Sequence, residues 1–368
     1  MRRRLAIIGV GMIDAGALGR GVPALQSWLC RLSEQDEIIV YRLSRGYLPH
    51  PHFQVRSLPK IPLHRYLEYA WMMILFLRDH LSRPFDLIYA ISPTPAGRMA
   101  VYLKKLLGVP VVIQFDAEEG IALNASGQEL KHYHRIQQVI STSDAITALT
   151  HYQCEILERN FSGAKWEVIT RGIAVEEFMY REREVHAIPK LLYVGYDQVV
   201  KDPELIMAVF VKLRESFDCC LHIVGEGLTL EFFQALPDFR RYAHQMVIHG
   251  AVKHEAIKSL LQEVDILVVT SRYESQSVIA MEAMASGVAV VGTAVGVLAD
   301  SSGEACLTAL PSAEALALEI GRLVRDPKLY LQMCRQGRRW VEEHSIAESV
   351  CQYRALHEQM IQRDGSKH

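Results

Sequence analysis

The chain has 368 residues, 50% of them apolar and 22% charged, with 40 Lys+Arg against 42 Asp+Glu for a net charge of −2. At ~100–200 residues per domain this predicts two domains with buried cores. The composition excludes a disordered or low-complexity protein, and no apolar run reaches the ~18–20 residues of a membrane-spanning helix. The even balance hides an asymmetry. Residues 1–110 hold 15 Lys+Arg against 7 Asp+Glu, and residues 111–368 hold 25 against 35. A basic front section points to an anionic surface or small molecule as partner. Seven scattered cysteines (Cys30, Cys154, Cys219, Cys220, Cys306, Cys334, Cys351) without a CxxC pattern fit a reducing, cytoplasmic setting. The first residues have the outline of a signal peptide, with Arg2–Arg4 ahead of apolar Leu5–Ile13. Asp14 breaks that outline, and the chain runs straight into a strand–loop–helix pattern.

In chain order, Leu5–Val10 is a continuous apolar run of the kind found in a parallel strand covered on both faces. It leads into a loop holding Gly11, Gly16, Gly19 and Gly21, after which Pro23 opens a helix over Ala24–Leu32. Strands follow at Ile38–Leu43, Leu87–Ala90, Val109–Gln114, Ala145–Leu149 and Trp166–Ile169. Helices fall at Leu63–Ser82, Gly97–Leu107 and Tyr152–Arg159. The alternation restarts after a charged stretch, Val175–Pro189. Its strands are Leu191–Val194, Cys220–Val224, Met246–His249, Ile266–Thr270 and Val288–Val291; its helices are Pro203–Glu215, His254–Glu263, Ser277–Ser286 and Ala313–Arg325. This grammar predicts an α/β protein of two facing Rossmann-like domains with a cleft between them, residues 1–175 and 186–345. The final helices, about Lys328–Ile361, are expected to brace the first domain, completing it with 346–368. Ligands of parallel sheets bind beyond the carboxyl ends of the strands, so the loops there should hold the site.

The strongest chemical signal is Glu274–Gly287. Ser275–Ser277 offer capping hydroxyls, a helix follows, and Gly287 ends it. A helix start presents unpaired amides and a positive dipole end, which suit a diphosphate. Glu282 is the lone charge between Glu274 and Asp300. Burying it in an apolar helix requires a hydrogen-bonding partner. A ribose diol fits, since a carboxylate accepts from both hydroxyls; pairing with an arginine or a backbone amide is the alternative.

With these residues in view, the chain resembles retaining glycosyltransferases of family 4, which have the GT-B fold. The paired glutamates match Glu274 and Glu282. The strand–glycine–basic loop matches Tyr193–Gly195 followed by Lys201, and the Gly-x-Gly donor loop matches Gly225–Gly227. His249–Val252, Leu260–Ser271, Gly287–Gly292 and Val295–Gly296 continue in register. In the first domain Gly16–Arg20 resembles the loop that touches the donor phosphate, and Arg171–Ile173 the segment before the linker. The resemblance implies a nucleotide-sugar donor, UDP- or GDP-linked, bound mainly by the second domain as substrate, with no further cofactor. Departure of the diphosphate builds negative charge, which fixed cations and amides stabilise. Lys201 would be that cation, with Gly19, Arg20, Gly195 and the amides at Ser277 and Val278 assisting. Glu274 would orient sugar hydroxyls and Glu282 the ribose, and Glu226, Gly227 and Val252 would flank the base.

The chain departs from the family at three places. Tyr196 stands where an arginine is usual, leaving Arg272 or Arg20 to substitute. Phe115 stands nearest a usual histidine, so Asp116 and Glu118 are expected to contact hydroxyls, to serve as base in the case of Asp116, or only to cap the next helix. Ser275–Gln276 replace a Gly-Phe pair.

Elsewhere, His132 and His134 lack the spacing of a zinc pair, and no HExxH, Asp-x-Asp, Walker A or Gly-x-Ser-x-Gly pattern occurs, so no metal site is expected. Asp14 stands where a dinucleotide fingerprint needs its third glycine. Nothing points to nucleic acid. Tyr66–Leu77 is an aromatic and aliphatic stretch among Arg42, Arg45, Arg56, Lys60, Arg65, Arg78 and Arg83. It reads either as an interfacial helix on an anionic membrane or as a helix buried nearly all round. The expected activity is hexosyl transfer to a glycan, lipid or small-molecule acceptor. The alternatives are a sugar-nucleotide epimerase and a non-catalytic sugar-nucleotide-binding subunit.

Overall fold

The computed structural model describes residues 2–9, 23–45, 50–58, 65–116, 133–161 and 163–365. Two compact units emerge, Met1–Arg171 with Ile346–His368, and Gly172–Ser345.

The first unit is built in chain order from β1 (Arg4–Gly9), α1 (Pro23–Ser33), β2 (Glu37–Arg45), β3 (Gln54–Leu58), α2 (Arg65–Ser82), β4 (Leu87–Ile91), α3 (Arg98–Leu107), β5 (Val111–Gln114), α4 (Tyr133–Thr142), β6 (Ala145–Ala148), α5 (His151–Asn160) and β7 (Trp166–Val168). All seven strands pair in parallel, in the order β3-β2-β1-β4-β5-β6-β7. The start of the run that imitated a signal sequence is an interior strand, β1, between β2 and β4. Leu5, Ala6, Ile7 and Ile8 are fully buried, as the unbroken apolar pattern requires. Met72 and Phe76 of α2, Leu103 of α3, Ile136 of α4 and Leu157 of α5 close the core over the sheet. Two elements escaped the sequence pattern. β3 is a short edge strand whose Arg56 and Ser57 break the alternation, and α4 carries Gln, Ser and Thr with no capping signal.

The second unit comprises β8 (Lys190–Val194), α6 (Pro203–Arg214), β9 (Cys220–Val224), α7 (Leu230–Gln234), α8 (Phe239–Tyr242), β10 (Met246–Gly250), α9 (His254–Leu260), β11 (Ile266–Val269), α10 (Val278–Ala285), β12 (Ala289–Thr293), α11 (Val297–Asp300), β13 (Leu307–Ala309), α12 (Ala313–Arg325) and α13 (Pro327–Glu343). Its parallel order is β10-β9-β8-β11-β12-β13. The charged stretch ahead of β8 is pinned to this unit. Arg183 donates to the carbonyls of Val264 (3.3 Å) and Ser286 (3.1 Å), and buried Asp265 accepts from the amides of His186 (3.2 Å) and Lys190 (2.8 Å).

The last helix, α14 (Ile346–Gly365), packs on α1 and β4 in the first unit. Tyr353 meets Trp28 and Tyr89 edge-on at 5.2 and 5.7 Å, and its hydroxyl donates to the Ile169 carbonyl at 3.2 Å. His357 lies fully buried beside Tyr89, and burial together with Arg3 and Arg354 pushes its pKa down to about 3.

Candidate active site

In the second unit the strand order reverses between β8 and β11, the place where an open parallel sheet leaves a crevice beyond its strand ends. The loops leaving both strands meet there. After β8, Gly195 lies under Gly225. A Cβ on Gly225 would stand 1.8 Å from the Gly195 carbonyl, so these loops approach at backbone distance. Lys201 follows, and its backbone carbonyl accepts from the Tyr193 hydroxyl and from Thr270 Oγ1, both at 3.0 Å. Those bonds fix the loop, so the lysine side chain is free for another role. Its Nζ reaches Glu274 Oε1 at 2.5 Å, and Ser271 Oγ donates to the same oxygen at 2.7 Å. Two residues 73 apart in sequence thus form one charged pair. Tyr196 lies with its ring 5.8 Å from Lys201 Nζ, within cation–π range.

Beyond Glu274 the chain enters α10 through Ser277, which has a left-handed backbone (φ 71°, ψ 74°). For a residue with a Cβ this costs about 1–3 kcal/mol. The expected capping bond is not made. Ser277 Oγ caps no amide of α10, and it is buried without a hydrogen-bond partner among the described residues. The left-handed backbone carries the side chain away from the position from which a capping serine reaches its helix. The first amides of α10 therefore lack the usual side-chain acceptor, beside a hydroxyl that also lacks one. Gly296, at φ 52°, packs the loop after β12 against this entry. A Cβ there would meet the Gln276 carbonyl at 2.8 Å, and Val297 N donates to that carbonyl at 2.9 Å.

Glu282 is buried, but it does not stand alone. His254 Nε2 lies 2.7 Å from its Oε1. That hydrogen bond is the main reason the His254 pKa rises above its ordinary value, against the burial of the ring. The anticipated protein partners were an arginine or a backbone amide. The actual one opens a helix in a different loop, and nothing in the sequence pattern marks it out.

Of the other sequence candidates, Val278 is the first residue of α10, Glu226 and Gly227 are exposed after β9, and Val252 is half-buried between β10 and α9. Arg272 is committed to Asp202, its Nε 2.8 Å from Oδ2 of the residue that caps α6. The rest of its guanidinium is largely exposed, with the side chain 59% accessible. Gly19, Arg20, Glu118 and His132 lie outside the described residues. Asp116 belongs to the first unit, whereas Lys201 and Glu274 belong to the second. Its Oδ1 pairs with Arg171 at 2.6 Å, and both side chains are nearly buried. Phe115 is turned inward, fully buried against Trp166 at 4.9 Å. A feature the sequence did not announce is Ser92, which follows β4 with φ 87°. In the same unit α2 is amphipathic rather than buried all round. Met72 and Phe76 are covered, while Leu67, Trp71, Ile74 and Leu81 are 56%, 41%, 61% and 80% exposed. Among the described residues no helix is long and apolar enough to cross a membrane.

Known proteins share this fold. The family model described as Glycosyltransferase Family 4 matches residues 29–177, and that of Glycosyl transferases group 1 matches 176–340. The N-acetyl-alpha-D-glucosaminyl L-malate synthase of Bacillus anthracis is 22% identical over 341 residues, 88% of each chain. A sucrose-phosphate synthase structure from Thermosynechococcus elongatus superposes with a TM-score of 0.82 over 98% of this chain and 100% of that one, at 19% identity. Anabaena HepE in complex with UDP-glucose does so at 0.74, over 96% and 99%, at 14% identity. The architecture is therefore that of the GT-B glycosyltransferases, and these matches favour neither the epimerase nor the non-catalytic reading. The two family models together run from residue 29 to residue 340, so the chain belongs to the family 4 and group 1 glycosyltransferases and is an enzyme of the hexosyltransferase type.

Proposed function

We propose that the protein transfers a hexose from a UDP- or GDP-linked donor to a hydroxyl of a glycan, lipid or small-molecule acceptor, with retention at the anomeric carbon. The observation that carries this is the Lys201–Glu274 pair, assembled from two loops at the strand-order reversal beside the open start of α10. A diphosphate there takes the α10 amides and the unpartnered Ser277 hydroxyl as donors, and Lys201 as cation. The anomeric carbon–oxygen bond to the diphosphate breaks, a bond to the acceptor oxygen forms, and the acceptor hydroxyl proton passes to the departing diphosphate oxygen. Lys201 acts where the negative charge develops, so it stabilises the transition state more than the bound donor. Glu274, held by Lys201 and Ser271, orients the hexose hydroxyls and favours positive charge on the ring. Glu282 accepts from the ribose, and Glu226, Gly227 and Val252 flank the base. UDP and UDP-glucose bound to Anabaena HepE support a nucleotide-sugar donor.

Asp116 is already engaged by Arg171, which favours a contact to acceptor hydroxyls over proton abstraction. Gly19 and Arg20 complete the diphosphate site in this reading. Residues 1–171 with 346–368 take the acceptor. The enzyme works in the cytoplasm, where its donor is found, and the exposed stripe of α2 supports peripheral contact with an anionic membrane face. Incubation with radiolabelled UDP- and GDP-sugars tests the proposal. Release of nucleoside diphosphate that depends on acceptor, with an α-linked product from an α-linked donor, is expected. Free epimer, or tight binding without turnover, would overturn it.

A further inference from the structure

Glu282 carries a side chain only 6% exposed in a helix whose neighbouring residues are apolar, and His254 Nε2 bonds its Oε1 at 2.7 Å. The histidine is itself held. The Phe178 and His254 ring centroids are 6.2 Å apart, with the planes at 75°. Lys258, one turn on in α9, lies over the same Phe178 ring at 5.3 Å, and is bound to Glu177 at 2.8 Å and Glu255 at 3.3 Å. Lys258 thus has two carboxylates of its own, and His254 is the group that meets Glu282.

We infer that His254 is a positioning residue for ribose recognition. It holds Oε1 of Glu282 so that the rest of the carboxylate is presented, already ordered, to the ribose hydroxyls. The inference rests on the ribose reading of Glu282 given above and adds what makes that reading selective. A glutamate has three rotatable side-chain bonds, and ordering them at the moment of binding weakens the complex. A carboxylate anchored by one oxygen retains acceptor capacity on both for the diol. Discrimination between ribose and deoxyribose then depends on a residue that need not touch the nucleotide.

The experiment compares UDP with 2′-deoxy-UDP, and GDP with 2′-deoxy-GDP, by calorimetry, with inorganic pyrophosphate as a probe that has no ribose. Four proteins are used, namely the wild type, Glu282→Ala, His254→Asn and His254→Gln. The glutamine amide nitrogen occupies roughly the place of Nε2, whereas the asparagine amide falls short of it. In the wild type the ribose form of the nucleotide that binds should be preferred about tenfold or more, the range for a hydrogen bond to a charged group. His254→Asn should reduce that preference to about threefold or less, and His254→Gln should keep most of it. Pyrophosphate affinity should stay within about twofold in both, since its donors are elsewhere. If the asparagine variant does not fold by circular dichroism, His254→Ala takes its place. A preference that survives in His254→Asn but is lost in Glu282→Ala would overturn the positioning role and leave the ribose reading standing. A preference that survives in Glu282→Ala would overturn the ribose reading itself. Parallel loss of pyrophosphate and nucleotide affinity in His254→Asn would show a merely structural residue, and so would also overturn the inference.

Discussion

Lys201→Ala tests the proposed chemistry most directly, because the structure separates the lysine's side chain from its backbone duties. The loop is held through the Lys201 carbonyl by Tyr193 and Thr270, and truncation at Cβ leaves both bonds in place. What is lost is the 2.5 Å contact with Glu274, between side chains only 19% and 13% exposed. Glu274 keeps the Ser271 hydroxyl as a donor, so the penalty is that of one charged hydrogen bond, about 1.5–3 kcal/mol, rather than of an isolated buried charge. On catalysis the expected effect is larger. A fixed donor aimed at charge that develops in the transition state contributes ~3–4 kcal/mol, or roughly 10²–10³ in kcat. In the bound donor the same cation is shared with Glu274, so nucleoside diphosphate affinity should fall only about tenfold. Stopped-flow or discontinuous turnover assays give kcat, and calorimetry with the nucleoside diphosphate gives affinity. Equal losses in both would refute the transition-state role in favour of uniform binding, and unchanged turnover would remove Lys201 from the site.

Glu282→Ala should weaken nucleoside diphosphate binding by about ten- to a hundredfold in calorimetry, and unchanged affinity would end the ribose assignment. His357 is held neutral by the fold at about 3 against ~6.5 unfolded, so its contribution is present above pH 6.5 and is lost as the pH falls. Between pH 7.5 and 5.0 that loss is about 2 kcal/mol, and denaturant titrations should show His357→Leu with a correspondingly flatter acid limb. His254 has the opposite sign. Its raised pKa adds stability that is complete below about pH 6.5 and disappears as the pH rises through the folded value, so His254→Gln should differ most from wild type under mildly acid conditions. Sedimentation with anionic liposomes should pull the protein down at low salt and release it at high salt, and Ile74→Glu should abolish this; no binding at low salt would leave α2 without a membrane role.

The sequence carried most of the fold because parallel strands buried on both faces write themselves as unbroken apolar runs. Leu5–Ile8 and Ile266–Val269 are legible for that reason, and β3 and β13, Gln-Val-Arg-Ser-Leu and Leu-Thr-Ala, are not, because polar residues interrupt them. The paired glutamates were legible because a single loop and helix carry both. What crosses between loops was not. Asp202 and Arg272 are 70 positions apart, Lys201 and Glu274 are 73 apart, and His254 and Glu282 are 28 apart. Such pairs are set by which strand ends lie side by side, and local pattern has no term for that. Ser277 failed differently. A serine before a helix predicts a cap, and the prediction assumes an extended backbone that this loop does not have.

That failure and the burial of Glu282 have a common consequence. Both place an energetic cost on α10 in the same short stretch. Ser277 keeps a left-handed backbone and an unpartnered hydroxyl, and Glu282 keeps a carboxylate within an apolar helix with a histidine as its known donor. At 1.5 Å per residue Glu282 stands about 6 Å along the helix from Val278, a span comparable to that from a diphosphate to the ribose hydroxyls attached to it. A single nucleoside diphosphate would therefore satisfy the amides and hydroxyl at one end of α10 and the carboxylate further along. Neither cost has an evident use in a helix that only supports the sheet, since a capping serine and an apolar residue at 282 would be more stable. Binding should thus raise the stability of residues 172–345 more than that of the first unit, because it relieves strain there as well as adding contacts. The check is hydrogen exchange with and without UDP or GDP. Protection concentrated in α9, α10 and the loops after β8 and β11 supports this account of α10, and protection spread evenly over both units would count against it.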